Sequence, residues 1–178
     1  MTCIIAAKGG DGSVVLGGDS VGVSGGELVR RRDRKIFRLG RLGVGFTTSY
    51  RMGQLVRFSL KVPEIPARGP TLAWMVREFV PALRRCLKSG GWLSKENDRE
   101  EAGSFIVVGG GHIFAVDADL QVGEYDDFMT VGCGAPWANG ALHTTRGQPA
   151  MARVRAGLLA AEEFSAYVRR PFNILRIQ

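Results

Sequence analysis

The order of sequence patterns predicts an α+β fold in which two antiparallel sheets are stacked between two layers of helices. Strand-like segments come first, two helical segments follow, and then come further strands, a second pair of helices and a final strand. Runs of strands followed by pairs of helices are typical of α+β layering, not of alternating βαβ units. The length of 178 residues and the hydrophobic fraction of 45% suit one globular domain, which we predict over residues 1–178.

The chain begins with a hairpin signal. Two apolar runs are joined by Gly9-Gly10-Asp11-Gly12, and short Gly- and Asp-rich connections favour tight turns between strands. A loop of small residues is expected over 20–26, followed by a basic run from Arg30 to Lys35. The first predicted elements are strands over 1–7, 13–20, 35–39 and 42–48, and a helix over 50–60 that Ser49 caps and that buries Met52, Leu55, Val56 and Leu60.

The clearest helical pattern covers residues 71–87. Apolar residues recur there at spacings of three and four, and Pro81 inside the pattern predicts a kink. The residues expected on its buried face are Leu72, Met75, Val76, Phe79, Leu83 and Cys86. Ser89-Gly90-Gly91 ends the helix, and a charged loop is expected over 95–103.

The second half of the chain repeats the scheme of strands followed by helices. The predicted strands cover 104–108, 112–117, 121–124, 128–132 and 172–177, and the helices cover 136–144 and 150–168. The residues expected on the buried face of the last helix are Val154, Leu158, Leu159, Ala161, Phe164 and Tyr167.

Composition narrows the function classes. The net charge of +7 raises the question of nucleic acid, but no zinc finger, aromatic RNA-binding signature or recognition helix accompanies it, so a solvated basic face is favoured. Three scattered cysteines and two histidines suit neither a disulfide framework nor most metal sites. No apolar run is long enough to span a membrane and no secretory signal is present, so we predict a cytoplasmic protein without metal or cofactor.

Thr2 is the first candidate for chemistry. If Met1 is removed, Thr2 carries a hydroxyl nucleophile and, on the same residue, an α-amine of pKa ~7.7–8.0 that can act as its base. The alternative is that Thr2 is an ordinary β-forming residue in a sheet that starts early.

Several motifs together resemble the proteasome β-type family of N-terminal nucleophile hydrolases, which includes the bacterial HslV peptidase. The resemblance covers most of the chain and is carried by the Thr2 strand and by four further segments. These segments are Val15-Leu16-Gly17-Gly18-Asp19-Ser20, Arg34-Lys35-Ile36, Gly45-Phe46-Thr47-Thr48-Ser49, and residues 131–142 from Val131-Gly132-Cys133-Gly134 onward. The resemblance implies a four-layer αββα sandwich, in accord with the layering predicted above.

The resemblance also implies roles for five residues. Thr2 would be the nucleophile, and Lys35, held by Asp19, would stabilise its alkoxide and disfavour protonation of the amine. The N–H of Thr48 would stabilise the oxyanion, and Cys133 stands where the family usually has a serine that bonds the terminal amine. Without the resemblance, Asp19 is a turn residue, Lys35 a surface charge, Thr48 a strand end and Cys133 a small core residue.

Three departures from the family pattern bear on activity. Thr48 replaces the usual glycine of the oxyanion turn, and the thiol of Cys133 is a poorer hydrogen-bond partner than a hydroxyl. Ser165 stands near the position of a late aspartate, and Val168-Arg169-Arg170 replaces the Ser-Gly-Gly that follows it.

We therefore expect a threonine-type peptidase that works inside a homo-oligomeric ring, either single or stacked in a pair. Its substrates would be peptides or unfolded chains, and an ATP-dependent unfoldase is a candidate partner. Phe58, Leu60, Trp74 and Phe79 are expected to supply apolar surface for subunit contacts. The alternatives are an inactive relative that serves assembly or binding, a nucleic-acid-binding protein, and an amide hydrolase acting on small molecules.

Overall fold

Two antiparallel sheets form the centre of the protein. The computed structural model describes residues 2–96 and 99–178, so the predicted removal of Met1 concerns a residue outside the described part of the chain. Within that part, the strands are β1 Ile4–Lys8, β2 Val14–Gly18, β3 Val21–Ser24, β4 Glu27–Arg30, β5 Ile36–Leu39, β6 Leu42–Phe46, β7 Ser94–Glu96, β8 Arg99–Glu101, β9 Phe105–Gly109, β10 His112–Val116, β11 Val122–Tyr125, β12 Phe128–Val131 and β13 Asn173–Ile177.

The first sheet has the strand order β12-β1-β2-β13, and the second has the order β11-β10-β9-β6-β5. The opening hairpin is confirmed, since β1 pairs with β2 in a register that sets Ile4 opposite Gly18. Asp11 stabilises its turn by accepting hydrogen bonds from the N–H and the hydroxyl of Ser13. Because β1 pairs with β12 on its other side, the segment that begins at Thr2 lies inside the first sheet.

The helices lie in two groups along the chain. Their bounds are α1 Tyr50–Ser59, α2 Leu72–Trp74, a π-helical turn Met75–Phe79, α3 Val80–Ser89, α4 Ala135–Thr144 and α5 Ala150–Phe164. The predicted cap of α1 is confirmed, because the Ser49 hydroxyl accepts a hydrogen bond from the Arg51 N–H. The predicted buried face of α1 is confirmed as well.

Three apolar clusters connect the sheets and helices. Side chains of both sheets, among them Ile4, Leu16 and Ile106, form one cluster. A second cluster joins the first sheet to α4 and α5, and a third joins the second sheet to α1, α2 and α3. Each sheet therefore buries residues of both faces, which explains why strands such as β1 and β9 are apolar at successive positions.

The helix predicted over 71–87 departs from a regular spiral. Its middle is a π-helical turn in which the Val80 N–H donates to the Met75 carbonyl, immediately before Pro81. The extra residue in this turn changes which side chains face inward. Trp74 is buried, whereas Leu72 and Val76, both expected in the core, are exposed.

Two segments predicted as loops contain strands. Residues 20–26 contain β3, which pairs with β4 in a hairpin. The described part of 95–103 contains residues of β7 and β8, which pair with each other, while residues 97–98 lie outside the described part of the chain. All four residues of β4 are exposed, so no alternation of buried and exposed positions reveals this strand.

The last helix ends at Phe164 and not at residue 168. Its buried stripe includes Val154, Leu158 and Ala161, at helical spacing. Leu159, Phe164 and Tyr167 lie off that stripe and are exposed, contrary to expectation. Of the four residues expected to offer apolar surface, Phe58 alone does so, at 75% exposure, while Leu60, Trp74 and Phe79 are buried. No helix within residues 2–96 and 99–178 has both the length and the apolar character needed to cross a membrane.

Candidate active site

Thr2 is held by the turn that follows β12. The Thr2 nitrogen donates a hydrogen bond to the Cys133 sulfur at 3.2 Å, and the Gly134 N–H donates to the Thr2 carbonyl at 3.2 Å. The Cys133 thiol also lies 3.5 Å from that carbonyl. Thr2 is only 4% exposed. These contacts fix the backbone of the residue on both sides, although it lies next to the start of the chain.

Gly132 allows this close approach. Its φ of +100° is a conformation that L side chains rarely adopt, and a Cβ atom there would lie 2.2 Å from the Thr2 carbonyl oxygen. A side chain at position 132 would therefore displace Thr2 or open the turn.

Asp19 and Lys35 form a buried ion pair. The Lys35 ammonium donates to the two Asp19 carboxylate oxygens at 3.0 and 2.9 Å and to the Val21 carbonyl at 2.6 Å. The exposed fractions are 2% for Lys35 and 0% for Asp19. Lys35 is therefore buried and is not the surface charge that the alternative interpretation of the basic run predicts.

The ion pair is attached to the backbone beside Thr2. Asp19 accepts hydrogen bonds from the Cys3 N–H at 3.0 Å and the Val21 N–H at 3.2 Å. Asp19 follows the last residue of β2, and Lys35 directly precedes β5, so the two sheets bring the pair together. Gly18 makes room for this, since a Cβ atom there would lie 2.8 Å from an Ile4 methyl group.

Burial opposes charge on both members of the pair. Desolvation raises the pKa of Asp19, opposed by the Lys35 charge and by hydrogen bonds from Lys35 and two backbone N–H groups. Desolvation lowers the pKa of Lys35, opposed by the attraction of Asp19.

Cys3, next in sequence to Thr2, is a second thiol in the same region. Burial, followed by the negative charge of Asp19, raises its pKa well above the ordinary value. Because the thiolate is the nucleophilic form, burial disfavours nucleophilic chemistry at this thiol.

Thr48 occupies a strained backbone position between β6 and α1. Its φ is +66°, which is rare for a β-branched residue and costs roughly 1–2 kcal/mol relative to glycine. Thr48 is exposed, and its hydroxyl lies 3.2 Å from that of Thr47, whose N–H donates to the Ser104 carbonyl. The backbone at Thr48 therefore has a conformation that glycine adopts more readily than threonine.

Cys133 is exposed and lies 3.9 Å from the hydroxyl of Ser165. Ser165 is buried and accepts a hydrogen bond from the Tyr167 N–H at 3.3 Å. The late serine that the sequence shows in place of an aspartate thus lies beside the thiol that contacts Thr2.

Hydrogen bonds connect four of the five predicted residues in two pairs: Thr2 contacts Cys133, and Lys35 bonds to Asp19, which accepts from the Cys3 N–H next to Thr2. The fifth, Thr48, lies two residues beyond β6, whose Phe46 N–H donates to the Lys35 carbonyl at 3.1 Å. The backbone groups of Cys3 and Val21 that complete the pair have no sequence signal of their own, except that Cys3 follows Thr2 and Val21 lies two residues after Asp19. Among the described residues, no group of three His, Cys, Asp or Glu side chains is placed to hold a metal ion.

The arrangement places a threonine hydroxyl, a nitrogen on the same residue and a buried cation in one region. Such a set suits attack by an oxygen nucleophile on a carbonyl group, with the cation stabilising negative charge.

Comparisons with known proteins bear on the fold. No protein-family model matches the chain, and no curated protein sequence matches it. The structure of Thiobacillus denitrificans BPH is similar, with a TM-score of 0.83, 22% identity, and coverage of 99% of this chain and 97% of that one. The same protein in complex with epoxomicin gives a TM-score of 0.83, 23% identity and coverage of 99% and 98%.

Eukaryotic HslV from Trypanosoma brucei is also similar, with a TM-score of 0.71, 19% identity and coverage of 99% of both chains. The chain therefore has the fold of the proteasome β-type N-terminal nucleophile hydrolases over its whole length, as the sequence motifs led us to expect.

Proposed function

We propose that the protein is a threonine-type peptidase that hydrolyses peptide bonds through an acyl-enzyme ester on Thr2, built on a four-layer αββα sandwich. The observation that carries this proposal is the buried Lys35–Asp19 pair, hydrogen-bonded to the backbone of Cys3 directly beside Thr2. The desolvation of two buried charges costs about as much free energy as their attraction returns, so stability alone does not explain the pair. Its position next to a hydroxyl nucleophile supports a chemical role.

The proposed reaction begins when Met1 has been removed and the Thr2 nitrogen is a free amine. The Thr2 hydroxyl oxygen attacks the carbonyl carbon of the peptide bond, and its proton passes through a water molecule to the amine. The C–N bond then breaks, the departing amine takes that proton, and an ester joins the acyl group to Thr2. Water attacks the ester, the C–O bond to Thr2 breaks, and the hydroxyl regains a proton.

The remaining site residues assist this reaction. The Lys35 charge stabilises the Thr2 alkoxide and disfavours protonation of the amine, while Asp19 holds Lys35 in place. The Thr48 N–H donates to the oxyanion of the tetrahedral intermediate. Cys133 orients the amine, because its sulfur already lies 3.2 Å from the Thr2 nitrogen.

We further propose a cytoplasmic homo-oligomeric ring, single or stacked, that admits peptides or unfolded chains, with an ATP-dependent unfoldase as a candidate partner. Seclusion in a ring would protect other proteins from the site. The support in this chain is the exposed apolar surface on the helices, namely Phe58 on α1 and Leu72 and Val76 near α3. Light scattering coupled to size exclusion measures the assembly directly.

An inactive relative that keeps the fold for assembly or binding is the second candidate. The strained Thr48 in the oxyanion turn is the specific observation in its favour, because a β-branched residue disfavours the left-handed conformation on which the position of the N–H donor depends.

Intact mass and peptide hydrolysis test the proposal. We expect a mature chain that begins at Thr2, loss of hydrolysis in Thr2→Ala, and partial activity in Thr2→Ser, which keeps a hydroxyl beside the amine. Because the similar Thiobacillus denitrificans protein has been determined with epoxomicin, we expect a mass increase of one epoxomicin molecule on the wild-type chain and none on Thr2→Ala. Full activity of purified Thr2→Ala would eliminate the mechanism, and retention of Met1 would favour the inactive relative.

A further inference from the structure

An open cleft of about 180 Å³ lies beside the candidate active site. One wall is the β3–β4 hairpin, including Gly22 and Arg31, and the other is the turn into α1, including Thr48 and Tyr50. The cleft adjoins the site through the peptide group between Val21 and Gly22. The carbonyl oxygen of this group accepts the Lys35 hydrogen bond, and Gly22 lines the cleft.

Arg31 supplies a positive charge to this cleft. Its guanidinium carbon lies 4.0 Å from the centroid of the Tyr50 ring, so the group is stacked on the opposite wall. Its Nε and Nη2 donate to the two carboxylate oxygens of Asp33 at 2.7 and 2.6 Å. These bonds fix the plane of the guanidinium and leave the Nη1 edge as a donor for another acceptor.

The turn into α1 adds a further feature that favours an acceptor. The cleft lies at the N-terminal end of this helix of ten residues, where the helix dipole is positive, and its first turn contains no acidic residue. The Tyr50 ring supplies the surface on which Arg31 stacks, whereas its hydroxyl is buried and inaccessible from the cleft.

We propose that this cleft receives the side chain of the substrate residue whose carbonyl is attacked, and that it selects an acidic side chain. The inference rests on the proposed function, since it names the substrate class of the same site. Thr48, which would hold the oxyanion of that carbonyl, lines the cleft, so the side chain of the same substrate residue lies within reach of it. A volume of about 180 Å³ suits one side chain.

The charges around the cleft set the sign of the preference. A glutamate or aspartate side chain would meet Arg31 and the N-terminus of α1. A lysine or arginine side chain would be repelled by the same positive groups, because the Asp33 carboxylate is already paired with Arg31. A leucine side chain would cover the Arg31 donors without offering them an acceptor.

Fluorogenic tetrapeptides that differ only in the residue before the cleaved bond test the inference. We expect kcat/KM for glutamate to exceed that for leucine by about tenfold, the low end of the range for a hydrogen bond to a charged group, since Arg31 is 37% exposed and already shared with Asp33. Arg31→Met should bring the ratio close to one. Arg32→Met removes the same charge from the next residue, which does not line the cleft, and should keep the ratio.

A binding measurement separates this inference from the proposed function. Nuclear magnetic resonance titration with the same peptides as simple amides gives dissociation constants without any hydrolysis, so the ranking is obtained even from a chain that cleaves nothing. We expect the glutamate peptide to bind about tenfold more tightly than the leucine peptide, and the difference to vanish in Arg31→Met. Equal binding, tighter binding of the arginine peptide, or a preference that persists in Arg31→Met would overturn the inference. Absence of hydrolysis with an intact binding preference would instead count against the peptidase.

Discussion

Replacement of Lys35 by methionine tests the buried ion pair most directly. Methionine is unbranched and fills the space of the lysine stem but carries no charge. The Asp19 carboxylate would then lie in the interior with only the N–H donors of Cys3 and Val21, having lost two hydrogen bonds from the ammonium.

The structure allows the cost to be worked out. Removing one partner of a buried ion pair typically costs about 3–5 kcal/mol, because the other charge stays buried without compensation. That value applies here because the side chains of Lys35 and Asp19 are both almost completely buried. A domain has roughly 5–15 kcal/mol of stability, so the variant should still fold. Its melting temperature should fall by about 6–20 °C, at ~2–4 °C per kcal/mol for a chain of this size.

A double variant and a neighbouring control isolate the charge. Asp19→Asn combined with Lys35→Met removes both charges and keeps an oxygen acceptor for the Cys3 N–H, so we expect it to be more stable than Lys35→Met alone. Arg34→Met removes an exposed charge next in sequence and should change stability by less than about 0.5 kcal/mol.

Urea denaturation followed by circular dichroism measures these differences, and peptide hydrolysis by the folded variants measures the catalytic effect. We expect Lys35→Met to lose about 10²–10³ in rate or more, as removal of one electrostatic contribution at an active site does. A loss of stability below about 1 kcal/mol, or a double variant as unstable as the sum of the two single ones, would refute the reasoning about the pair.

Two further predictions concern the turn before α1 and a second ion pair. Thr48→Gly should raise stability by about 0.5–1 kcal/mol, the relief of left-handed strain less the extra entropy of glycine in the unfolded chain; a lower urea midpoint would contradict it. Asp127 bonds the buried Arg153 at 2.6 and 3.0 Å, which holds the pKa of Asp127 below its ordinary value. Asp127→Asn should therefore destabilise the protein at pH 7 by about 2 kcal/mol, discounted for the partial exposure of the carboxylate. The difference in unfolding free energy between Asp127→Asn and wild type should narrow as pH falls through ~4 toward the lowered pKa, because the wild type then loses the same charge; a difference that is equal at pH 7 and pH 2.5 would show that it does not come from the carboxylate charge.

Local patterns were sufficient to predict most elements of this protein. The opening hairpin, the helix capped by Ser49 and the strand entered from Lys35 depend on turn residues, caps and hydrophobic spacing within ten or so residues of chain. The candidate residues Thr2, Asp19 and Lys35 follow from motifs of the same short range. The β3–β4 hairpin carries a turn signal in Gly25-Gly26, both at positive φ, but its second strand has no buried face and so no alternation that marks it as a strand.

Tertiary structure decided the features that depend on more than one segment. The π-helical turn over 75–79 moves Val76 out of the core, a shift that spacing along a regular helix cannot foresee. The ion pair of Asp19 and Lys35 is buried because strands of two sheets bring its members together, and the charge of Lys35 alone favours the surface.

The same reasoning applies to the cleft that we assign to the substrate. Arg31 belongs to a basic run that, as sequence, resembles any solvated face, and Tyr50 is the first residue of an ordinary amphipathic helix. Their contact at 4.0 Å exists because the β3–β4 hairpin folds back over the turn into α1. The sequence by itself therefore determined which residue types are available for chemistry at Thr2, Asp19 and Lys35. The packing of distant segments decided which charges are buried and which groups face a common cleft, since burial and proximity are properties of the folded chain.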